Sequence, residues 1–184
     1  MDDRQLIAHQ REVEVTARDL DGPRACALGL CCLERLVPVY ERCCDSLHDK
    51  TPLRLRACLD RAWEAVTEDE VGPGAFQRPT AMEEVEEVDE NPLVRALDLV
   101  EACVGAFLRA MQATRWERAH AVAAAAFELV GLLPEDPGRL AVLADAECRR
   151  QRTELKVLAA AEVDWLALRE DAARGDLFGG DWFE

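Results

Sequence analysis

The feature that most constrains what this chain can fold into is a run of apolar side chains between Cys26 and Leu47. Cys26, Leu30, Leu33, Val37, Tyr40, Cys44 and Leu47 recur at alternating steps of four and three. An α-helix turns once in about 3.6 residues, so that rhythm lays them along one helix face. Asp21-Gly22-Pro23 in front supplies a break and a helix start, with proline tolerated in the first turn. Pro38 falls inside the run and is expected to kink the helix, because it removes one backbone donor.

The same rhythm organises the remainder. A helix from about Asp3 to Asp19 carries a thin stripe of Leu6, Val13 and Val15. After Asp49-Lys50-Thr51-Pro52, with Thr51 as a cap, Leu55, Leu59, Ala62, Trp63 and Val66 form the next stripe. Val71 to Thr80 holds two glycines and two prolines and reads as a loop, and six acids in the eight positions from Glu83 to Glu90 follow it as a solvated connector. Asn91-Pro92 opens a helix with Leu93, Leu97, Val100, Val104, Phe107, Leu108 and Met111 inward, and Thr114-x-x-Glu117 forms a capping box for another ending near Leu133. Asp136-Pro137 starts a last long helix to about Ala173, with Leu140, Leu143, Leu155, Leu158 and Leu166 inward. No segment alternates with the period of a strand. The expected fold is all-α: a single-domain antiparallel bundle of about six helices with a long C-terminal helix, over residues 1–173. Residues 174–184 are expected to form an acidic-aromatic tail.

Composition narrows the function classes. The chain has 184 residues, enough for one domain with a sizeable core. Hydrophobic residues make up 49% and aromatics only 5%, so Ala, Leu and Val are expected to fill that core. With 37 acids against 22 Lys and Arg the formal charge is −15, which repels phosphate backbones and argues against direct nucleic-acid binding. Met1-Asp2-Asp3-Arg4 lacks the basic start and apolar run of a signal peptide, and no apolar run nears the ~20 residues of a membrane span. A cytoplasmic protein is therefore expected, free of membrane, with its eight cysteines reduced.

Several strings on these helices carry a family resemblance. Leu33-Glu34-Arg35-Leu36-Val37-Pro38-Val39-Tyr40 resembles the Glu-Arg-x-x-Pro-x-Tyr string of the YjaG-like bacterial family of unknown function, domain of unknown function 416. Leu59 to Thr67, with Asp60, Trp63 and Glu64, is similar to a second string of that family, and Glu101-Ala102-Cys103-Val104 to a third. Glu147-Cys148 with Glu154-Leu155 extends the likeness, which spans about residues 22 to 165. The resemblance implies a bacterial, soluble, all-helical protein and brings no activity, cofactor or catalytic residue with it.

Several reactive side chains lie at spacings that plain packing also explains. Cys31, Cys32, Cys43, Cys44 and His48 suggest zinc, but adjacent helical residues diverge by about 100° and cannot both face one ion. Cysteine as a small core hydrophobe is the better reading. A carboxylate-bridged metal centre could draw on Glu34, Glu101, Glu117 and His120, although Glu117 belongs to the capping box at a helix end. Ser46, the sole serine, has no nucleophile elbow, and no phosphate loop is present. Glu34 and Arg35 are expected to be structural, with Arg35 pairing between helices beside the carbonyl that Pro38 leaves free. Trp63 is expected to anchor the core.

No catalytic residue, cofactor or metal is therefore expected. The expectation is a non-enzymatic bundle that binds another protein with a basic surface, in concrete form an immunity-type or adaptor protein. Phe178, Asp181, Trp182 and Phe183 of the tail are candidate partner contacts, unless the tail covers its own bundle. The alternative is a metal-dependent or small-molecule enzyme with a carboxylate/histidine site in the core. A homodimer with a structural role is a third reading.

Overall fold

The computed structural model describes residues 3–47, 52–71 and 137–175, and these contain five helices and no strand. In chain order they are α1 (Asp3–Arg18), α2 (Gly22–Leu47), α3 (Pro52–Thr67), α4 (Pro137–Leu158) and α5 (Trp165–Arg174). No helix among the described residues is long and apolar enough to cross a membrane. Thr51 and the expected helices between residues 92 and 133 lie outside the described residues, as do the acidic connector and the tail.

α2 is the central element. It packs against each of α1, α3, α4 and α5. Asp21 caps it, its carboxylate accepting from the Arg24 amide at 3.0 Å, and the helix continues through Pro38 to Leu47. Every residue from Ala25 to Val37 is buried. The apolar seam understated this, since a helix surrounded by others has no solvent face to mark with polar residues. That also explains the cysteines. Cys26, Cys31 and Cys32 point in different directions from α2, yet all are buried free thiols, as is Cys148 on α4.

The outer helices bury narrower stripes. α1 turns His9, Val13 and Ala17 inward at steps of four, while Val15, expected on the inner stripe, is 62% exposed. α3 buries Leu55, Leu59, Ala62, Trp63 and Val66 as its spacing predicts. It ends with Asp69 at φ 55°; the Glu70 amide donates to the Ala65 carbonyl at 2.9 Å and the Asp69 amide to that of Val66 at 3.4 Å. This is the paired closure usually built on glycine, made here with an aspartate in the left-handed region.

The single long C-terminal helix is not what forms. The chain leaves helix after Leu158 and re-enters at Trp165. Asp164 is extended, and its carboxylate accepts from the Ala167 amide at 3.0 Å, so it caps a new helix rather than continuing the old one. Arg24 donates to the Ala161 carbonyl at 3.1 Å and ties the break to the start of α2. The interruption resets the helical phase. Leu168 and Ala172 face the core, and Leu166, expected inward on an unbroken helix, is 69% exposed.

Candidate functional site

Two adjacent residues in the middle of α2 organise the polar interior. Glu34 and Arg35 are both about 1% exposed, and consecutive helical side chains diverge by about 100°, so each reaches toward different neighbours.

Arg35 reaches α4. Its Nε and Nη2 donate to the two oxygens of Glu147 at 3.0 and 2.7 Å, a fork-on-fork pair. Nη1 donates to Oε1 of Glu154, and Nη2 also lies 3.3 Å from its Oε2. The network continues toward α1: the Gln151 amide donates to Glu147 Oε1 at 2.9 Å, and His9 Nε2 donates to Gln151 Oε1 at 2.9 Å. Glu147, Gln151 and Glu154 sit at steps of four and three, so α4 presents a buried polar stripe where apolar residues would be expected.

Glu34 reaches α3 and α5. Trp63 Nε1 donates to its Oε1 at 3.0 Å, and Arg56 Nη1 donates to Oε2 at 2.6 Å. Arg169 of α5 donates through Nε to Glu34 Oε1 at 3.3 Å and through Nη2 to Asp60. Trp63 is thus a core anchor with its indole N–H satisfied. The peptide unit Glu34-Arg35 connects all five described helices, reaching α3, α4 and α5 directly and α1 through Glu147 and Gln151.

The electrostatics follow from one cation facing two buried acids. Burial pulls the Arg35 pKa down, but Glu147 and Glu154 outweigh it and hold the guanidinium above its ordinary value. Glu154 moves the other way. Burial, reinforced by Glu147, raises its carboxyl to about 7 against the opposing pull of Arg35 and Arg150. The thiols are quenched by burial: Cys26 and Cys31 are pushed far up, and Cys148 to about 11. Such thiols are poor nucleophiles and poor metal ligands at neutral pH.

Beside this network a cleft of about 390 Å³ opens between α4 and α5. Arg35 and Glu154 line it together with Arg149, Arg150, Asp171 and Arg174. Gly175 closes α5 directly against Arg35; a Cβ there would lie 3.0 Å from Arg35 Cδ and 3.2 Å from Cγ. A larger residue there would have to push the Arg35 stem aside by a few tenths of an ångström.

The remaining candidates divide by location. Tyr40 is in the core, Pro38 is half-buried, Asp60 is paired with Arg169, and Glu64 is exposed. Cys103, Glu101, Glu117, His120, Phe178, Asp181, Trp182 and Phe183 lie outside the described residues. Arg35 does pair between helices, but its described bonds go to Glu147, Glu154 and Cys32, not to the carbonyl beside Pro38. Glu34 fits a metal role poorly, because an indole and two guanidinium groups already take both its oxygens. Among the described residues no group of three or more His, Cys, Asp or Glu could hold a metal ion.

The strings that carried the resemblance are now in contact. Glu34-Arg35, Asp60 with Trp63, Glu147 and Glu154 come from three separate stretches of chain and meet in these two networks. A family model described as protein of unknown function, DUF416, matches residues 12–162. The chain belongs to that family. The DUF416 match takes in α2, α3, α4 and the C-terminal part of α1, and it stops before Arg169, Asp171 and Arg174 of α5. No curated protein and no solved structure matches the chain.

Proposed function

We propose that this DUF416 chain is a non-enzymatic protein-binding domain, an immunity-type or adaptor protein whose acidic surface occupies a basic site on its partner. The supporting observation is where the ionisable groups lie. His9, Glu34, Arg35, Glu147 and Glu154 are buried and bonded between helices, so their polar groups serve to join the helices. Acids face outward, among them Glu64, Glu68, Asp69 and Glu70 around the end of α3. The helix dipole disfavours negative charge at that end, so helix stability does not account for them. Attraction to a basic partner does, and it would speed encounter.

On this reading the domain is an antiparallel bundle of about six helices in a bacterial cytoplasm, and the tail around Phe178, Asp181, Trp182 and Phe183 adds to the partner contact. The second reading, an enzyme with metal held by Glu34, Glu101, Glu117 and His120, is weakened by the donors already on Glu34. Stoichiometric iron, manganese or zinc in the purified protein, lost in His120→Ala, would favour it instead.

The test is kinetic. The partner is identified by cross-linking in cells, and its association rate is followed as salt is raised. The rate is expected to fall roughly tenfold between about 0.05 and 0.5 M salt, and to fall further in Glu68→Lys/Glu70→Lys. A salt-independent rate would sink the proposal. Light scattering of the isolated chain separates a homodimer from a heteromeric role.

A further inference from the structure

We propose that the cleft between α4 and α5 is a binding site for a small, doubly charged oxyanion of phosphate-like shape, gripped by Arg149, Arg150 and Arg174 above the buried Arg35. The site stands apart from the acidic surface, and its occupancy does not depend on the protein-binding reading.

Charge is the first reason. The chain carries 37 acids against 22 Lys and Arg, yet among the described residues the charged groups lining this cleft are four arginines, Glu154 and Asp171. The local balance opposes that of the molecule as a whole. Arginine suits the task, since its planar fork matches oxyanion geometry and stays charged at any physiological pH.

Construction is the second reason. Arg35 is fixed by Glu147 and Glu154, so the floor is organised before any ligand arrives. Gly175 brings the end of α5 against the Arg35 stem, and α5 carries Arg174 and Asp171 to the rim. Arg149 makes an exposed pair with Asp145, 66% and 51% exposed, which solvent screens and a ligand can displace. A volume of about 390 Å³ accommodates a small molecule, not a polymer.

Glu154 makes occupancy pH-dependent. It is surrounded by Arg35 and Cys31 from α2 and by Glu147 and Arg150 from α4, with Asp171 and Arg174 of α5 sharing the cleft. With its carboxyl raised to about 7, protonation removes a negative charge from the cleft wall and supplies an O–H donor. A dianion therefore binds the protonated form better, and binding draws in a proton.

The experiment titrates sodium sulfate, a dianion at every pH used, into the full chain by calorimetry at pH 6 and pH 8, with chloride holding the ionic strength constant. Saturable binding with a Kd below about 10 mM at pH 6, weakened roughly tenfold at pH 8, is expected. Arg174→Gln should weaken it about tenfold, whereas Arg18→Gln, an equal change in net charge on α1 outside the cleft, should not. Arg174 is exposed, so the variant should keep the wild-type circular dichroism; Arg150→Gln serves as the second cleft variant. Glu154→Gln should bind with the difference between the two pH values abolished. Glycerol phosphate in a parallel titration separates a phosphomonoester site, which it would occupy more tightly than sulfate, from an inorganic-ion site, which it would not. Absence of saturable binding, or equal weakening by Arg174→Gln, Arg150→Gln and Arg18→Gln, overturns the proposal.

Discussion

At Arg35 one guanidinium is shared by two carboxylates, all three groups being almost fully buried. Removing a single partner from a buried ion pair costs about 3–5 kcal/mol, because the other charge stays buried without compensation. Arg35→Ala abandons Glu147 and Glu154 together and should fall in the upper part of that range, partly relieved as Glu154 takes a proton. Urea unfolding followed by tryptophan fluorescence would measure it. The combined variant Arg35→Met/Glu147→Met/Glu154→Leu, which removes every charge of the group, should recover most of the loss. If Arg35→Ala unfolds within about 1 kcal/mol of the parent, the buried network does not hold the helices together. The thiols illustrate the same rule in reverse. Cys26 stays neutral because burial disfavours its thiolate, and at Cys31 burial, reinforced by Glu154, outweighs the opposing pull of Arg35.

At the scale of the element, α5 exists because Asp164 ends one register and begins another. Asp164→Ala removes the acceptor for the Ala167 amide and should cost about 1 kcal/mol, read from the urea midpoint. An unchanged midpoint would mean that packing of Leu168 and Ala172 alone sets the start of α5. This break was hard to see in the sequence. Ala159-Ala160-Ala161 favours helix, and a lone aspartate with no glutamate three residues on gives a weak start signal. The stripe of α3 was readable because one face of that helix contacts the core and nothing interrupts its period. On α4 the opposite held. Glu147, Gln151 and Glu154 occupy core positions between Leu143 and Leu158, so an apolar periodicity count passes over the residues that matter most. Polar side chains at core spacing were the available signal for the partners of Arg35. His9, Arg56 and Arg169 gave none, since charged residues on outer helices are ordinary.

For the molecule as a whole, the buried acid shapes the response to pH. Glu154 has an ordinary value near 4.5 when unfolded and about 7 when folded, so between those values the folded chain keeps a proton that the unfolded chain has released. Folding stability from this group is therefore full below about pH 4.5 and is lost as pH rises toward 7, by an amount on the order of 3 kcal/mol. Repulsion among the surface acids, in a chain of net charge −15, adds to the same trend as they ionise. Thermal melts at pH 5 and pH 7.5 should show a lower midpoint at the higher pH, with the difference reduced in Glu154→Gln. A midpoint that rises over this interval in the parent would show that Glu154 ionises freely in the folded state.

The arithmetic of one base between two acids also bears on how such a protein can change over generations. Any single replacement that removes the charge at residue 35, 147 or 154 unbalances the interior, so each such step taken alone passes through a weakened molecule. Lineages are expected to retain the trio intact or to have exchanged it wholesale for apolar residues, with intermediates scarce. Drift at these positions is thus ratcheted, and the historical path of the fold is narrower than its tolerance for any finished sequence.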